Sequence, residues 1–509
     1  MELPAICTRM GQKEAELTLT EAVDVLVSET QVWPEVSDTQ RKHFLSRVSG
    51  SIQAIRRSLG NRALMARLEN TDLCFEDAEA TLFAGHSVHP CPKARDGFGD
   101  EDIERYTPEY GQSFRLFWYA VIPDHLRVMG DPGLWDAIAR SVLPDRTGLR
   151  WLPVHPFQHR RWEISGDLAR WRALGWVRDV CLAGPPWRPT SSVRTLYASG
   201  FPWMFKSSLS VRLTNSLRHL REQELQRGAL LSDILREEAV QSWKNAHPAF
   251  HILEEPVAAV MVDTREEALE ATAASWRSHP FGPGQRVQPL ALLLQPHPIS
   301  RVCLLERLIG RAFRPEDQAR DWLRGFLDLV VAPLLEAQGS LGLLFGAHQQ
   351  NLLLELSDGL PCRAWFRDCQ GTGFTPLARD VLDRSVRLHP SAGNCISAAL
   401  GAQLLTYYLF VNSAFQVMAM LSRFCDERDL RHDLRQWLQA DRWQKLRDRS
   451  VVDALLTSPV LYSKRNFYLA FSGVNENSAT DISSLYTTWP NPLVHSPSGN
   501  ASQQEVSVS

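Results

Sequence analysis

An Asp-Gly dipeptide constrains the fold of this 509-residue chain more than any other local feature of its sequence. Asp358 and Gly359 separate two short apolar runs, 351–356 and 361–367. Asp-Gly between apolar runs is the strongest short-range sign of a β-hairpin, because both residues tolerate the backbone of a tight two-residue turn. The sequence therefore predicts an antiparallel hairpin centred on these two residues.

Polar side chains gather at the open end of this hairpin. The predicted register places residue 351 opposite residue 366 and residue 350 opposite residue 367. The cluster then contains a histidine, two amides, an arginine and an aspartate, namely His348, Gln350, Asn351, Arg367 and Asp368. Such a set can hold carboxylates, phosphates and one Mg²⁺, which needs only one or two carboxylates besides phosphate oxygens and water. The alternative is an ordinary polar edge of a sheet.

A run without acidic residues extends from Val180 to Arg221 and contains six lysines or arginines. About five acidic residues would be expected over this length, so their absence is informative. Residues 204–213 alternate apolar and polar side chains, which predicts a half-buried strand with Lys206 on its polar face. The alternative is a solvated basic face whose cations pair with acids elsewhere.

The residues after this strand predict the start of a helix with Thr214 or Asn215 as its N-cap. Thr214 and Arg218, four residues apart, would then face one ligand. A helix N-terminus with a hydroxyl and a guanidinium suits a carboxylate or a phosphate. Because an extended strand places Lys206 about 26 Å from Thr214, the two contact different parts of a large ligand set unless the strand bends.

A histidine–proline loop, GHSVHPCPKARDGF at 85–98, packs two histidines, a lysine and an arginine between turn-forming residues. It is suited to donating several hydrogen bonds to anionic oxygens. A zinc site through His86, His89 and Cys91 is a second interpretation, although a structural zinc site needs four ligands and no matching pair lies nearby. A surface loop with turns fixed by proline is the third.

Length, charge and cysteine content limit the class of protein. A chain of 509 residues exceeds one compact core, so two or three subdomains are expected. The net charge of −3 argues against bulk nucleic-acid binding. Nine cysteines without CxxC pairs favour reduced thiols, and the first residues do not read as a secretory signal, so a cytoplasmic protein is expected.

One segment requires a membrane check. No Asp, Glu, Lys or Arg occurs in the 35 residues between Arg387 and Arg423. Its apolar runs are interrupted by amides and hydroxyls, whereas a lipid-facing helix normally has about 20 mostly apolar residues. A helix buried in the last subdomain is therefore favoured over a membrane span.

The remaining patterns indicate a mixed fold. Apolar residues recur at helical spacing within 11–70, 134–143, 167–174 and 317–337. Strand and helix do not alternate regularly, so a doubly wound parallel sheet is not predicted. We expect an α+β fold with helical ends and a middle that contains antiparallel strands.

The sequence resembles the IucA/IucC-type siderophore synthetases, which act independently of nonribosomal peptide synthetases. The resemblance rests on the number and order of matching segments along nearly the whole chain. They are GHSVHPCPKARDGF (85–98), YTPEY (106–110), PVHPFQ (153–158), SSVRT (191–195), FKSSLSVRLTNSLR (205–218), GAHQQNLLLELSDGLPCRAWFRDCQG (346–371), SKRNFYLAFSGVNEN (463–477) and NPL (491–493).

The resemblance implies a cupped-hand architecture with the site in the cleft between fingers and palm. The expected ranges are a thumb at 1–125, fingers at 126–335, a palm at 336–497 and a disordered tail at 498–509. It also implies a reaction in which a carboxylate, most often that of citrate, attacks the α-phosphate of ATP. An amine or an alcohol then displaces AMP to form an amide or an ester.

The resemblance also implies cofactors, partners and site residues. ATP and Mg²⁺ are needed, the partners are small acids and amines or alcohols rather than nucleic acid or membrane, and a homodimer is compatible with it.

The nucleotide phosphates would be contacted by Ser192, Arg194 and Lys206. The carboxylate substrate would be contacted by Thr214, Arg218 and His348. The nucleotide and Mg²⁺ side would be formed by Gln350, Asn351 and Asp368, with Asp368 as metal ligand. The catalytic set would be His86, His89, Lys93 and Arg218.

Three positions depart from the pattern of the family. Gly346 stands where members often carry a glutamate that helps to bind Mg²⁺, Ser87 stands where proline is usual, and Phe157 replaces the commoner tryptophan. Two other functions stay open. A kinase-type ATP phosphotransferase would also use a cluster of His, Asn and Asp, and Gly346 is the motive for a non-catalytic homologue that binds citrate or a siderophore.

Overall fold

The helices and strands follow one another irregularly along the chain, as expected of a mixed fold. We describe the protein from a computed structural model that covers residues 6–494 except 11–12, 29–35, 87, 215, 383–393 and 474–482. The predicted disordered tail therefore lies outside the described residues, as does Asn215.

The α-helices lie towards both ends of the chain and between the strands of the middle. The helical pattern predicted for 11–70 is wrong at its start, because Lys13–Leu17 pairs as a strand with Ile6–Met10. Ser37 caps the longest N-terminal helix in a reciprocal capping box with Gln40. The α-helices are Leu19–Ser28, Asp38–Leu59, Arg62–Glu69, Phe75–Thr81, Asp100–Tyr106, Pro132–Arg140, Pro156–Ser165, Asp167–Ala173, Glu222–Ile234, Glu238–Ala246, Leu290–Leu293, Leu304–Ile309, Pro315–Phe326, Ala332–Leu341, Pro376–Val381, Ala398–Leu405, Phe415–Leu421, Glu427–Leu438, Ser450–Thr457 and Asn466–Ser472.

A large antiparallel sheet forms the middle of the molecule. Its eight strands, in spatial order, are Leu126–Gly130, Val257–Met261, Ala274–Ser278, Trp203–Ser207, Thr195–Tyr197, Val177–Pro189, Phe114–Val121 and Arg150–Val154. Four fully buried tryptophans, Trp118, Trp135, Trp187 and Trp276, belong to its core. The antiparallel middle predicted from the sequence is confirmed.

The smaller sheets connect parts of the chain that are far apart in sequence. A three-stranded sheet joins Arg95–Asp96 to Leu209–Leu213 and Ser216–Arg218. A four-stranded sheet orders Phe250–Ile252, Leu360–Phe366, Leu352–Ser357 and Val287–Pro289, with the first pair parallel. The remaining pairs are Ile6–Met10 with Lys13–Leu17, Leu343–Leu344 with Gly373–Phe374, and Val460–Lys464 with Tyr486–Pro490.

The predicted hairpin is present, but its register changes along its length. Asp358 and Gly359 both have positive φ, 51° and 79°, as the predicted turn requires. Leu356 pairs with Pro361 as predicted, but beyond a bulge Leu352 pairs with Phe366, one position away from the prediction. The extra residue of a β-bulge accounts for the shift.

The cationic run is not one half-buried strand followed by a helix. The chain leaves the large sheet at Ser207 and enters the three-stranded sheet at Leu209, so the strand bends between Lys206 and Thr214. Lys206 is buried, because its face is covered by neighbouring parts of the protein. The helix predicted at residue 214 is wrong, because the residues after Thr214 return as a strand and the next helix begins only at Glu222.

The charge-free segment forms one long helical stretch from Ala398 to Leu421, and its middle part, Thr406–Ala414, is a π-helix. This stretch is long and apolar enough to cross a membrane by length and composition, but 61% of its most apolar window is buried inside the molecule. It contributes Leu405, Leu409 and Phe410 to the largest apolar core, as the prediction of a buried helix requires.

Candidate active site

The twelve site residues predicted from the sequence line one cleft of about 410 Å³. The cleft lies where three separate parts of the chain meet: the histidine–proline loop, the cationic run and the hairpin. The predicted residues on its wall are His86, His89, Lys93, Ser192, Arg194, Lys206, Thr214, Arg218, His348, Gln350, Asn351 and Asp368.

The wall of this cleft is strongly cationic. Among the described residues, its lining contains one acidic side chain, Asp368, and eight basic ones, which are Lys93, Arg95, Arg194, Lys206, Arg218, Arg277, Arg367 and Lys464. Three fully buried glutamates lie behind the wall and pair with five of these cations: Glu79, Glu109 and Glu255. A wall that carries more basic than acidic side chains suits a polyanionic ligand.

A tight turn, rather than a helix, brings Thr214 and Arg218 together. The two strands that flank the turn pair Leu213 with Ser216, and Arg218 Nη2 donates to Thr214 Oγ1 at 2.8 Å. Thr214 has a φ of 53°, in the left-handed region that a β-branched residue rarely adopts. The predicted pair of carboxylate-binding groups is thus adjacent, although for a different reason from the predicted one.

The loop before the strand Thr195–Tyr197 holds Ser192 and Arg194 against the cleft. Ser192 Oγ accepts a hydrogen bond from Thr195 N at 3.2 Å and lies 3.0 Å from Thr190 Oγ1. Val193, between the two predicted residues, has a φ of 67°. Because such a conformation costs free energy at a β-branched residue, the tertiary structure must impose it.

Lys206 lies in a buried network of charges. Its ammonium contacts Asp368 Oδ1 at 2.5 Å and Glu255 Oε2 at 3.2 Å. Arg277 Nη2 approaches the same two carboxylates, at 2.5 Å to Glu255 and 3.5 Å to Asp368. Burial alone would raise the pKa of Asp368, but Lys206, Arg277 and Arg194 hold it below its usual range, so this carboxylate is ionised.

The open end of the hairpin is joined to the loop of Ser192. Arg367 N donates to Asn351 O at 3.0 Å, which continues the shifted register by one more pair. The guanidinium of Arg367 pairs with buried Glu79 at 2.6 Å, and Gln350 Nε2 donates to Ser191 Oγ at 3.3 Å. The polar cluster is therefore part of the cleft wall and not an isolated sheet edge.

His348 lies on the same wall, beside the π-helical segment. Its ring centroid is 6.2 Å from that of Tyr408, and burial lowers its pKa to about 3 with the help of nearby His86. The imidazole is therefore neutral near pH 7. A neutral imidazole can donate one hydrogen bond to a carboxylate without bringing a full charge.

The histidine–proline loop faces the cleft with His86, His89 and Lys93, but Cys91 points elsewhere. Cys91 is fully buried in a small apolar core with Phe44 and Phe471, and burial raises the pKa of its thiol to about 11. A protonated thiol in an apolar core is a poor zinc ligand. Within the described residues, no group of three or more His, Cys, Asp or Glu is arranged to hold a metal ion.

Several residues of the site escaped the sequence analysis. Arg277 lies in a short buried strand, Ala274–Ser278, and Glu79 and Glu255 lie in segments that show no local pattern of function. Glu109 lies in YTPEY, a segment of the family resemblance to which no role was assigned. The π-helical segment contributes Tyr407, Tyr408 and Asn412 to the wall. Arg95 and Lys464 occur inside segments that carry the family resemblance, which was the available signal for them.

The sequence matches two family profiles in adjoining regions. The profile of the IucA / IucC family matches residues 74–295. The profile described as ferric iron reductase FhuF-like transporter matches residues 320–479. The two ranges contain all twelve predicted site residues.

Characterised proteins resemble this chain over most of its length. The N(2)-citryl-N(6)-acetyl-N(6)-hydroxylysine synthase of Escherichia coli is 30% identical over 88% of this chain and 81% of that protein. The rhizobactin siderophore biosynthesis protein RhbC of Rhizobium meliloti is 31% identical over 84% and 77%, respectively. The ATP-bound aerobactin synthetase IucA from a hypervirulent pathotype of Klebsiella pneumoniae superposes with a TM-score of 0.87, at 26% identity over 96% of this chain and 89% of that one.

The synthases and ligases among these relatives place the chain in the ligase class of enzymes. Its length, its order of segments and its fold all agree with one group of ligases. The chain belongs to the IucA/IucC family of siderophore synthetases.

Proposed function

We propose that this enzyme uses ATP to adenylate a carboxylic acid, namely citrate or a citrate derivative, and joins it to an amine or an alcohol in the synthesis of a siderophore-type metabolite. One observation carries the proposal: among the described residues, eight cations and one acidic side chain line a cleft of a size suited to small molecules. The names of the relatives support citrate, since they include a citryl-hydroxylysine synthase and a spermidine-citrate ligase.

The proposed chemistry has two steps. A carboxylate oxygen of the acid attacks the α-phosphorus of ATP, the bond to the β-phosphate oxygen breaks, and pyrophosphate leaves. The amine or hydroxyl of the second substrate then attacks the acyl carbon, AMP leaves, and the nucleophile loses a proton. Because the carboxylate is already a nucleophile, the first step needs charge compensation and alignment more than a general base.

The cationic wall divides into two proposed regions. Ser192, Arg194 and Lys206 contact the nucleotide phosphates, helped on the nucleotide side by Gln350 and Asn351. Thr214, Arg218 and His348 bind the carboxylate substrate: the turn supplies a hydroxyl next to a guanidinium, and His348 supplies a neutral donor. An arginine can bind a carboxylate through two parallel hydrogen bonds.

The remaining predicted residues face the reacting groups from the histidine–proline loop. His86, His89 and Lys93 line the cleft on the side of Thr214 and Arg218. We propose that they stabilise the negative charge that develops at the α-phosphorus, together with Arg218. Positively charged or hydrogen-bonding groups held in place at this point lower the barrier without rearrangement.

The oxygen ligands on the wall suit a magnesium ion that the phosphates of the nucleotide bind as well. Asp368 is an acidic side chain of the cleft, and Gln350 and Asn351, whose side chains carry amide oxygens, line the same cleft from the hairpin end. This set is too small for a complete protein cage but adequate for Mg²⁺, which keeps waters and phosphate oxygens. When bound, the ion would offset the charge of the phosphates. Asp368 would hold it, and Lys206 would exchange part of its contact with Asp368 for a phosphate.

The architecture that we propose follows the cupped hand of the family resemblance, with a thumb at 1–125, fingers at 126–335 and a palm at 336–497. The TM-score to the Klebsiella synthetase supports it. The three parts are closely joined, since strands of the proposed thumb and fingers share two sheets, and strands of the proposed fingers and palm share the four-stranded sheet. We also propose a cytoplasmic location, which the proposed use of ATP supports, as do the cysteines of the described part of the chain, eight of which are free thiols.

The test is a product analysis with purified enzyme, Mg·ATP and citrate. We expect citrate-dependent exchange of radiolabelled pyrophosphate into ATP, and formation of a hydroxamate when hydroxylamine replaces the natural amine. Release of ADP and phosphate would instead identify a phosphotransferase. Binding of ATP with no exchange for any of a panel of carboxylic acids would identify a binding protein, and either result refutes the proposal.

A further inference from the structure

A completely buried carboxylate lies behind the histidine–proline loop. Glu109 belongs to the segment YTPEY, 106–110, to which the proposed function assigns no role. Its side chain has no exposure to solvent, and it lies behind the wall of the cleft instead of on it. Charged side chains are almost never buried to this extent unless opposite charges hold them.

Two cations of the cleft wall share one oxygen of this carboxylate. Glu109 Oε1 accepts hydrogen bonds from Lys93 Nζ and, at 2.7 Å, from Arg95 Nη2. Lys93 Nζ also donates to Leu82 O at 2.8 Å, so two of its three N–H groups are held by the wall. Two positive charges meet one negative charge, and the cluster therefore keeps one net positive charge at the cleft.

The shared carboxylate lies close to the proposed carboxylate-binding turn. Arg95 is in the strand Arg95–Asp96 and pairs with Leu213, the residue before Thr214. By holding the guanidinium of Arg95, Glu109 therefore holds a cation on a residue that pairs with the position just before the turn. Within the described residues, the second oxygen of Glu109 accepts no hydrogen bond, so the carboxylate is committed to these two cations.

We propose that Glu109 is a positioning residue for the reaction: it orients Lys93 and Arg95 toward the anionic reactants and keeps Lys93 charged. The proposal rests on the proposed function, because it assumes that the cations face a nucleotide and an acid. Glu109 touches neither reactant and acts through the two cations.

The electrostatics of the cluster agree with this role. Burial lowers the pKa of Lys93, Glu109 opposes this effect, and Arg95 adds to it. Burial alone would raise the pKa of Glu109, but Arg95 and Lys93 bring it to about 2. Tyr110 also interacts electrostatically with Glu109 and Arg95, and Glu104 and Arg57 interact in turn with Tyr110. Removing the carboxylate therefore lowers the pKa of Lys93 further.

The test is the pH profile of citrate-dependent pyrophosphate exchange in Glu109→Gln. Glutamine keeps the shape of the side chain but not its charge. We expect exchange to fall at least about tenfold near pH 8.5 and to recover partly near pH 6.5, because Lys93 loses its proton at a lower pH. An equal loss of exchange at all pH values would show that the role of Glu109 is only structural. An unchanged pH profile of exchange would refute the proposal.

Thermal unfolding of the same variant gives a second readout that needs no substrate. In Glu109→Gln a buried Lys93 has lost its partner, and deprotonation relieves the cost of its charge. The deficit in Tm relative to wild type should therefore shrink as the pH rises from 7 to 10, while activity falls. A deficit that does not change with pH would contradict the role of Glu109 in keeping Lys93 charged.

Two further variants separate this inference from other causes. Glu104→Gln changes an exposed glutamate in the same part of the chain and should retain the wild-type profile. The double variant Lys93→Met, Glu109→Gln removes both charges. Its activity should be low but should show no additional loss at alkaline pH. A wild-type enzyme without exchange for any acid would refute the proposed function, whereas the unfolding comparison would still test the charge of Lys93.

Discussion

Strained residues are concentrated at the cleft. Among the described residues, six that are not glycine have positive φ, and three of them line this site: Val193, Thr214 and Asp368. Such conformations are unfavourable for side chains with a Cβ and persist where the surrounding structure imposes them. The strain sets the direction of Ser192, Arg194 and Arg218, so the scaffold fixes the binding groups before any ligand arrives.

Arg218→Ala should reduce citrate-dependent pyrophosphate exchange at least about 100-fold, because the turn loses the guanidinium that faces the acid. Arg218→Lys should recover little, since an ammonium cannot make two parallel hydrogen bonds to one carboxylate. The control is Arg212→Ala, which removes a cation from the neighbouring strand but not from the cleft wall. Unchanged exchange in Arg218→Ala would remove this residue from the carboxylate site.

Asp368→Asn should raise the Mg²⁺ concentration required for half-maximal exchange, because the ionised carboxylate of the cleft is lost. The amide keeps the size of the side chain, and Lys206 retains Glu255 as a partner. Exchange is measured across a Mg²⁺ titration at fixed ATP. An unaltered titration curve would argue against Asp368 as the metal ligand.

Gly346→Glu is the complementary change. Gly346 lines the cleft, and a Cβ added there would meet no atom within 4 Å, so the backbone at this position has room for the start of a side chain. A second carboxylate should lower the Mg²⁺ concentration that gives half-maximal exchange. Gly346→Gln, equal in size but uncharged, is the control and should leave the Mg²⁺ requirement as it is in wild type.

At the scale of elements, local patterns in the sequence predicted the structure where a local interaction determines it. The hairpin turn follows from the backbone freedom of Asp358 and Gly359, and the N-terminal helices follow from apolar spacing and caps. The helix predicted at Thr214 failed because a cap-like residue also suits a tight turn, and sheet pairing with Arg95–Asp96 determined the outcome. A bulge in the hairpin is likewise set by tertiary packing, so the register could be predicted only near the turn.

Gly359→Ala should destabilise the protein by about 1 kcal/mol, because the turn holds Gly359 at a φ of 79°. The new methyl group would have room, since its nearest neighbour is Gln318 Nε2 at 3.6 Å. Gly282→Ala is the matched control, at an open position without positive φ, and should cost no stability. Thermal unfolding of the two variants checks the difference, and equal Tm values would contradict a backbone cost at the turn.

At the scale of the whole molecule, the cleft depends on contacts that local sequence cannot reveal. Glu79 pairs with Arg367, almost three hundred residues later in the chain, and Glu255 joins Lys206 to Arg277. Each glutamate lies in a segment without a functional pattern, and only the folded chain brings it to its cation. The hairpin register grouped the polar residues at its open end, and the family resemblance joined them to the cationic run and the histidine–proline loop. The composition of the cationic run alone left open whether its cations bind an anion or pair with acids elsewhere.

Buried histidines should make the whole molecule lose stability on mild acidification. Burial lowers the pKa of His155 to about 3 and that of His279 to about 4, against about 6.5 in the unfolded chain. Between pH 6.5 and 4 the unfolded chain therefore binds more protons than the folded protein. In this range each such histidine lowers the free energy of unfolding by about 1.4 kcal/mol for every unit by which the pH falls.

His155→Asn isolates one of these contributions. His155 Nδ1 accepts a hydrogen bond from Phe157 N at 3.1 Å as the cap of the helix Pro156–Ser165, so protonation of this atom would break the cap. Asparagine can cap the same helix but does not titrate. We expect the variant to be less stable than wild type at pH 7.5, because its packing is poorer, and to lose less stability between pH 6.5 and 4.5. His432→Asn, at an exposed position, should keep the wild-type slope, and an identical slope in His155→Asn would show that this imidazole is accessible to protons in the folded protein.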